Sequence, residues 1–213
     1  QAILPVHIHG MPAEMGRILE IAQRYNLNVI EDVAQAHGAQ YHGQLCGSFG
    51  DAAAYSTQAS KTLSSGCQGG LFTTDDELIH QRAGLLQYFG EIVVPGQERE
   101  SQEYNAYGLG WMYRGDMFSQ ALIRSQLKRL DQNNMLRVEN CRFLTQHLSQ
   151  IPGLKTPLVP EGCNPVYYNY VIGFDPEALG LNISAGELRQ KVQAALQAEG
   201  VPTGQWQRLP VPA

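Results

Sequence analysis

The chain has 213 residues, of which 43% are apolar and 16% are charged. This balance predicts a folded protein with a sizeable core and excludes a disordered chain. The net charge of -5 and the scattered basic residues argue against nucleic acid as a partner. No apolar run approaches the roughly 20 residues of a membrane span, and no signal peptide is recognised. A soluble cytoplasmic protein is therefore expected.

No metal site or disulfide is predicted. No cysteine pair has C-x-x-C spacing, so reduced and partly buried thiols are expected at the four cysteines: Cys46, Cys67, Cys141 and Cys163. His7 and His9 stand two residues apart without an acidic ligand, which favours structural roles. The chain starts at Gln1 directly before an apolar strand, and it stops at Ala213 soon after another apolar stretch. These ends favour a fragment or a processed chain.

The first part of the chain predicts a βαβ unit. Ala2–Val6 indicates a short buried strand, residues 12–25 have the apolar spacing of an amphipathic helix, and Val29–Ile30 forms a second strand that leads into Glu31–Asp32. Strand, helix and strand within about 30 residues predict a parallel sheet. Ligands gather at the carboxyl ends of such strands. Asp32 is therefore a candidate site residue.

The remaining elements follow from periodicity and turn residues. Asp75–Asp76 is a candidate cap for the helix that follows it, and residues 90–110 indicate a polar connection. A composition change over 151–165 predicts a first domain of residues 1–150 and a second of residues 151–213. The predicted elements are strands over 52–56, 71–74 and 167–174, and helices over 76–88, 117–148 with a break near Asn133–Asn134, and 185–199.

An ordered set of motifs identifies a family. The segment Glu31–Ala39 reads EDVAQAHGA and closely resembles the signature of the DegT/DnrJ/StrS-type sugar aminotransferases. The following pieces are similar to the family and stand in its order over most of residues 2–150. They are GSFGD at 47–51, a strand ending in Ser56, Lys61, Gly69–Gly70, GWMYR at 110–114 and QLKRLD at 126–131.

The resemblance implies a pyridoxal 5'-phosphate (PLP) enzyme with an α/β fold of the aspartate-aminotransferase type. Such a fold has a large domain with a mostly parallel sheet and a smaller C-terminal α+β domain, of which this chain would hold a part. Lys61 would form an imine with the cofactor aldehyde and shuttle the substrate proton. Asp32 would pair with the pyridinium nitrogen, and Ala34 would pack beneath the ring. Gln35 would bond near the ring hydroxyl, and Ser56 would donate to the phosphate.

The family's chemistry implies transfer of an amino group from an amino acid, glutamate or glutamine, to a keto-sugar or keto-cyclitol. Gln58 is reminiscent of the cyclitol and aminobenzoate branches. Because the family builds its active sites across a subunit interface, a homodimer is expected. A family branch of dehydratases has histidine in place of the lysine, so the presence of Lys61 argues against that reaction. No G-x-G-x-x-G motif follows a strand, which argues against a nucleotide-binding domain.

Three departures from the family pattern keep a second interpretation open. Met112 stands where the family has an asparagine that reaches a neighbouring subunit's phosphate, and methionine cannot donate a hydrogen bond. The loop Gly66–Gly70 is one residue longer than the family's and lacks its acidic residue. The family's upstream segment, with a phosphate-binding turn and a stacking aromatic, is not in this sequence. The alternative is a catalytically silent relative that acts as a binding or regulatory subunit.

Overall fold

The computed structural model describes residues 1–92 and 106–205. Strands and helices alternate along the first half of this part of the chain, and short strands join the helices in the second half. In chain order the elements are β1 (Ala2–Ile3), α1 (Met15–Tyr25), β2 (Asn28–Asp32), β3 (Gln40–Tyr41), β4 (Gln44–Leu45), β5 (Ala52–Ser56), β6 (Gly70–Thr73), α2 (Glu77–Gln87), α3 (Met117–Leu127), α4 (Leu130–Leu148), β7 (Leu154–Lys155), β8 (Cys163–Asn164), β9 (Gly173–Phe174) and α5 (Ala185–Ala198).

The largest sheet has four strands in the order β1-β2-β5-β6. β1 pairs parallel to β2, and β2 pairs parallel to β5. β6 returns antiparallel to β5, with Ser56 opposite Gly70. The βαβ unit and the mostly parallel sheet predicted from the sequence are confirmed. A second sheet of three short antiparallel strands has the order β4-β3-β8.

Helix α1 covers one side of this sheet because its apolar residues recur at helical spacing. Met15 and Ala22 are buried with Val29 of β2 in one core cluster. The helix ends at Asn26, which adopts a left-handed conformation with φ of 50°. Asparagine tolerates this region better than most residues. The helix begins at Met15 rather than at residue 12, because the Ala13 backbone N–H instead donates to His7 Nδ1 at 3.0 Å.

A second core cluster lies beneath the segment that follows β2. Its buried residues are Val33, Ala36, Ala39, Cys46, Ala53 and Val166. Small side chains let the backbone after Asp32 pack closely on β5. Burial raises the pKa of the Cys46 thiol to about 12, so this cysteine is an inert core residue. All four cysteines lie in the described part of the chain, and none of them forms a disulfide bond.

The chain divides into two compact units, each described here by itself. The first contains Gln1–Cys141 and Val159–Tyr170, and the second contains Arg142–Leu158 and the chain from Val171 onward. In the second unit β7 pairs antiparallel with β9, and Lys155 Nζ lies 2.9 Å from Asp175 Oδ2. Ser184 caps α5 by accepting from the Glu187 N–H. The division into domains of residues 1–150 and 151–213 stays a prediction.

Other predicted elements are shifted or shortened. β1 is only two residues long, and Val6 forms an isolated bridge with Asp32. The long helical region is interrupted after Leu127 instead of near Asn133–Asn134. The strand predicted over 167–174 is wrong for its first part, because the backbone there bonds to the turn at Ile8–Gly10: the Asn169 N–H donates to the His9 carbonyl at 3.4 Å.

The helix capping prediction is confirmed at α2, where Asp76 Oδ1 accepts from the Ile79 N–H at 2.8 Å. Residues 93–105 of the predicted polar connection lie outside the described residues. Among the helices that the structure describes, none combines the length and the apolar character that a membrane crossing requires.

Candidate active site

The carboxyl ends of β2 and β5 meet at one edge of the main sheet. Asp32 is the last residue of β2 and pairs in register with Ala54 of β5. Ser56 ends β5 two residues later. Because side chains alternate along a strand, Ala54 and Ser56 share a sheet face with their cross-strand neighbour Asp32. The Asp32 carboxylate and the Ser56 hydroxyl therefore reach the same end of the same face, where open α/β sheets bind ligands.

The five residues that the family resemblance assigns to the cofactor share an intermediate degree of burial. Their side chains are held by the fold but are still accessible from one side. Glu31 and Val33, the two neighbours of Asp32 in the chain, are fully buried at 0% exposure. This agrees with the alternation of side chains along a strand. The half-buried residues are Asp32, Ala34, Gln35, Ser56 and Lys61.

Asp32 is braced on both sides through its backbone. Its N–H donates to the Pro5 carbonyl at 2.9 Å, and its carbonyl accepts from the His7 N–H at 3.1 Å. The side-chain oxygen Oδ1 accepts from the Ala34 N–H at 2.9 Å. Among the described residues, Oδ2 has no hydrogen-bond partner. Asp32 thus presents one uncommitted carboxylate oxygen at a rigid position.

Gln35 is oriented by a backbone donor. Its Oε1 accepts from the His9 N–H at 2.7 Å, and because an N–H can only donate, the amide oxygen must face His9. His9 adopts a left-handed backbone conformation with φ of 57°, and its Nδ1 lies 3.1 Å from Asn169 Nδ2. The Gln35 amide nitrogen is consequently turned away from His9 and is available as a donor.

Lys61 lies in the loop after β5, and an aromatic ring covers it. The Lys61 N–H donates to the Gln58 carbonyl at 2.8 Å. Its Nζ is 4.8 Å from the centre of the Tyr168 ring, within the range of a cation–π contact. The Tyr168 hydroxyl also lies 3.3 Å from Ser60 Oγ. Sequence reasoning missed this neighbour, because 108 residues separate Ser60 from Tyr168 and the alternation predicted there is absent.

Glu31, directly before Asp32, forms a fully hydrogen-bonded buried carboxylate. Oε1 accepts from the N–H groups of Phe49 and Gly50 at 2.7 and 2.9 Å. Oε2 accepts from the Gly47 N–H at 2.7 Å and from His7 Nε2 at 3.0 Å. His7 Nδ1 accepts from a backbone N–H, so the proton of this imidazole is on Nε2. This glutamate therefore holds the loop 47–50 against β2.

The charge state of Glu31 follows from these contacts. Burial by itself raises the pKa of Glu31, but the hydrogen bonds from His7 and from the backbone of Gly47, Gly50 and Phe49 outweigh it. The net pKa lies below its usual range. The carboxylate is ionised at neutral pH, and it is a structural anion. In the sequence, Glu31 was recognised only as part of the motif at 31–39, and this structural role was not predicted.

Within residues 1–92 and 106–205, no group of three or more His, Cys, Asp or Glu side chains could hold a metal ion. His7 is occupied by Glu31 and Ala13, as described above. The acidic, amide, hydroxyl and amine groups at the strand ends instead fit an organic cofactor that carries a ring nitrogen, a ring hydroxyl, an aldehyde and a phosphate.

Nearly the whole sequence matches one known protein family. The profile of the DegT/DnrJ/EryC1/StrS aminotransferase family matches residues 1–211. The chain belongs to this family. The family resemblance of the motifs over most of residues 2–150 is thereby confirmed, and the match extends to residue 211. Members of the family and the structural neighbours depend on PLP.

Relatives with assigned names include amine-forming enzymes of two substrate types. A Streptoalloteichus tenebrarius protein, 35% identical over 94% of this chain, carries the name of an L-glutamine:3-amino-2,3-dideoxy-scyllo-inosose aminotransferase. A Streptomyces venezuelae protein, 30% identical over 95% of the chain, is named dTDP-3-amino-3,4,6-trideoxy-alpha-D-glucose transaminase. The chain covers 46% and 48% of these two proteins. It thus spans about half the length of the curated relatives it matches.

Solved structures confirm the α/β fold of PLP-dependent aminotransferases. The S. venezuelae protein DesV, crystallised with a ketimine intermediate, superposes with a TM-score of 0.81 at 30% identity and covers 95% of this chain. AtS13 from Actinomadura melliaura superposes with a TM-score of 0.82 at 28% identity and covers 98%. The match extends over 49% and 53% of those two chains.

Two departures from the family pattern are visible in the structure. Met112, at the family's asparagine position, accepts a hydrogen bond through its sulfur from Arg114 Nε at 2.9 Å. The Arg114 guanidinium also lies 5.9 Å from the centre of the Tyr88 ring. The methionine therefore acts as an acceptor for a residue two positions further along the chain. In this arrangement it cannot replace the asparagine as a phosphate donor.

The longer glycine loop still closes on the sheet. The Thr57 N–H donates to the Gly69 carbonyl at 2.9 Å, and the Ser65 N–H donates to the Thr57 carbonyl at 2.7 Å. Gly70 then pairs with Ser56 at the start of β6. Residues 66–70 are exposed, and these two hydrogen bonds close the loop at its base.

Proposed function

We propose that the protein is a PLP-dependent aminotransferase that moves an amino group from glutamate or glutamine to a keto-sugar or keto-cyclitol. The observation that carries the proposal is the set of polar groups at the ends of β2 and β5 that can still bond to a ligand: Asp32 Oδ2, and the Ser56 hydroxyl, which accepts from the Gln58 N–H at 3.4 Å and can still donate. Family membership over residues 1–211 supports it. The names of the relatives also support it, because they include both a cyclitol and a nucleotide-sugar enzyme.

The donor set fits PLP, which when bound supplies the electron sink for bond breaking at the substrate carbon. Asp32 would hold the protonated pyridine nitrogen through its free Oδ2, and this contact keeps the ring electron-poor. The Gln35 amide nitrogen would donate to the ring hydroxyl. Ser56 Oγ would donate to the phosphate. Ala34, between Asp32 and Gln35, leaves space for a flat ring because its side chain is a single methyl group.

Lys61 performs the two tasks that need an amine. It would contribute the nitrogen that holds the cofactor, and it would move the proton at the substrate carbon as a base and then as an acid. The Tyr168 ring excludes water from one side of Nζ, since it lies 4.8 Å from the nitrogen. Its contact with Ser60 ties the loop on the same side.

The amino acceptor is proposed from the relatives, and Gln58 is consistent with the cyclitol branch. Its Oε1 accepts from the Ser60 N–H at 2.8 Å and from the Ser60 hydroxyl at 2.6 Å. The oxygen therefore supports the lysine loop, and the amide nitrogen is the part of Gln58 that could contact a substrate hydroxyl. Glutamine as the donor is supported by the name of the Streptoalloteichus relative.

A cytoplasmic homodimer is part of the proposal. Large apolar side chains of the segment 107–118 are exposed: Leu109 at 94%, Phe118 at 84% and Met117 at 79%. A patch of this kind is typical of an interaction surface, and a second subunit would cover it. The four cysteines are thiols rather than disulfides, which is the state that a reducing compartment maintains.

The proposal is tested by trapping the cofactor. The full-length protein is incubated with PLP, reduced with borohydride and mapped by mass spectrometry of its peptides. We expect a pyridoxyl adduct on Lys61 and none on the exposed Lys128, which lies in the break between α3 and α4. A folded protein without an adduct at Lys61 contradicts the aminotransferase and favours the silent relative.

Ser56→Ala is expected to raise the Kd for PLP about tenfold. The substitution removes one hydrogen bond to a charged group, an interaction that contributes about 1.5 kcal/mol, and 1.4 kcal/mol is a factor of ten in Kd. The measurement is a fluorescence titration of the full-length apoenzyme. Ser149→Ala, on an exposed position after α4, is the matched control and should leave the Kd unchanged. An equal Kd for both variants would remove Ser56 from the phosphate site.

A further inference from the structure

His37 is a buried side chain whose contacts lead to Lys61. It is 2% exposed, and its Nδ1 lies 3.1 Å from Thr62 Oγ1. Thr62 directly follows Lys61 in the chain. The His37 ring also packs against the Tyr55 ring of β5, with the ring centres 5.8 Å apart. One side chain from the segment after β2 therefore contacts both β5 and the loop that carries the lysine.

The backbone of His37 is fixed from behind by helix α4. Asn134 is buried, and its Nδ2 donates to the His37 carbonyl at 2.8 Å. Asn134 is itself held by Arg137, whose Nη1 donates to Asn134 Oδ1 at 2.8 Å and to the Val166 carbonyl at 3.2 Å. Gly38 has φ of +86°, and a Cβ there would lie 2.8 Å from Asn134 Nδ2. Glycine at this position allows the close approach.

The imidazole is neutral at physiological pH. Burial, together with the smaller effect of the nearby Lys61 charge, lowers the pKa of His37 to about 4, although the Ser56 backbone acts in the opposite direction. A neutral ring does not repel the Lys61 ammonium, and it can form a hydrogen bond with a hydroxyl without bringing a second positive charge to the site. The hydrogen bond with Thr62 thus has a structural role, and this link between His37 and the loop is called the tie below.

We propose that His37 is a positioning residue that holds the lysine loop, residues 57–65, to the segment after β2 through its hydrogen bond with Thr62. The base of this loop is closed by the bond from the Ser65 N–H to the Thr57 carbonyl. Its apex carries Lys61. The tie connects that apex to the buried His37. The Tyr168 hydroxyl separately contacts Ser60, next to Lys61.

The position of Lys61 matters because its nitrogen must reach both the cofactor and the substrate carbon. A displacement of about 1 Å at a reacting group can cost about 100-fold in rate. This part of the inference rests on the proposed function, whereas the tie between His37 and Thr62 is a property of the fold by itself. The two are therefore separable by experiment.

Thr62→Val and Thr62→Ser provide the matched pair in the full-length protein. Valine has the shape of threonine without its hydroxyl, and serine keeps the hydroxyl. Amide hydrogen exchange of residues 58–62 is measured without cofactor. We expect exchange to rise about fivefold in Thr62→Val, as the loss of one hydrogen bond predicts, and to match wild type in Thr62→Ser. The amides of β5 residues 53–55 serve as the internal reference and should not change.

The second readout is the rate of borohydride-trapped PLP attachment at Lys61. We expect about a tenfold fall in Thr62→Val and recovery in Thr62→Ser. His37→Asn, which can place a polar atom near the position of Nδ1, should behave closer to wild type than His37→Leu. If amide exchange of residues 58–62 is equal in both Thr62 variants and in wild type, the tie does not restrain the loop. A changed exchange with unchanged attachment overturns the positioning role. Absence of the adduct in wild type overturns the proposed function, and the exchange result still decides the tie.

Discussion

Lys61→Arg is expected to abolish aminotransferase activity, with a loss of at least about 1,000-fold in kcat. Arginine keeps the positive charge and the length of the side chain, but its guanidinium does not lose its proton in proteins and cannot act as the amine or as the base. General base catalysis alone contributes about 100- to 10,000-fold, and the covalent role is lost in addition.

The measurement is a coupled assay of amino transfer to a keto-cyclitol and to a nucleotide keto-sugar, with glutamate and glutamine as donors. Lys128→Arg is the matched control, because Lys128 is exposed and lies in the break between α3 and α4. It should retain wild-type kcat. The absorbance band of lysine-bound cofactor should be present in the control and absent in Lys61→Arg. Retention of more than about a tenth of the activity in Lys61→Arg would remove this lysine from the mechanism.

Glu31→Gln is expected to destabilise the folded protein by about 3 kcal/mol at neutral pH. The carboxylate accepts four hydrogen bonds, from His7 and from the N–H groups of Gly47, Phe49 and Gly50. A glutamine amide would direct its NH₂ group at donors, so at least one buried N–H would lose its acceptor. Hydrogen bonds to a charged group contribute about 1.5–3 kcal/mol each, so losing one or two of the four accounts for this value.

The pH dependence of this effect has a definite sign. The folded-state pKa of Glu31 lies below the ordinary value of 4.5. The contribution of the carboxylate to stability is therefore fully present above about pH 4.5 and is lost as the pH falls through the folded-state pKa. The difference in unfolding free energy between wild type and Glu31→Gln should be constant from pH 8 to pH 6 and should narrow below about pH 4.

Urea unfolding, followed by far-UV circular dichroism across this pH range, measures the effect. Glu20→Gln is the matched control, because Glu20 lies on the exposed side of α1. Surface substitutions of this kind usually change stability by less than about 0.5 kcal/mol. If Glu31→Gln unfolds within about 0.5 kcal/mol of Glu20→Gln at pH 7, the four hydrogen bonds do not carry the stability assigned to them.

Local patterns were enough to predict the elements that lead to the site. The spacing of Met15 and Ala22 predicted α1, the apolar pair before Asp32 predicted β2, and the small-residue run before Ser56 predicted β5. These predictions succeeded because burial of one face imposes periodicity on neighbouring residues. The sequence also predicted that Asp32 and Ser56 end strands and that Lys61 lies in the loop after the second of them. The carboxyl ends of parallel strands meet at one edge of a sheet.

Long-range contacts account for the predictions that failed. The break expected at Asn133–Asn134 is absent because the buried Asn134 side chain satisfies the His37 carbonyl, and the helix gains from continuing through it. The alternation at Tyr167–Tyr170 suggested a strand. The backbone there instead bonds to the turn at Ile8–Gly10, and Tyr167 has φ of 50°. In both cases a partner about 100 residues or more away outweighed a local preference.

The amino-acid sequence was enough to identify the family and to predict the parallel sheet. It also predicted that strands end at Asp32 and Ser56 and that Lys61 lies between Ser56 and the glycine loop. These properties depend on residue identity and on short spacings. The tertiary structure was needed to show that the Tyr168 ring lies over Lys61, that Glu31 accepts hydrogen bonds from the loop 47–50, and that His37 contacts Thr62. The physical reason is that a hydrogen bond or ring contact depends on positions set by the packing of several elements, and no local periodicity in the chain records that packing.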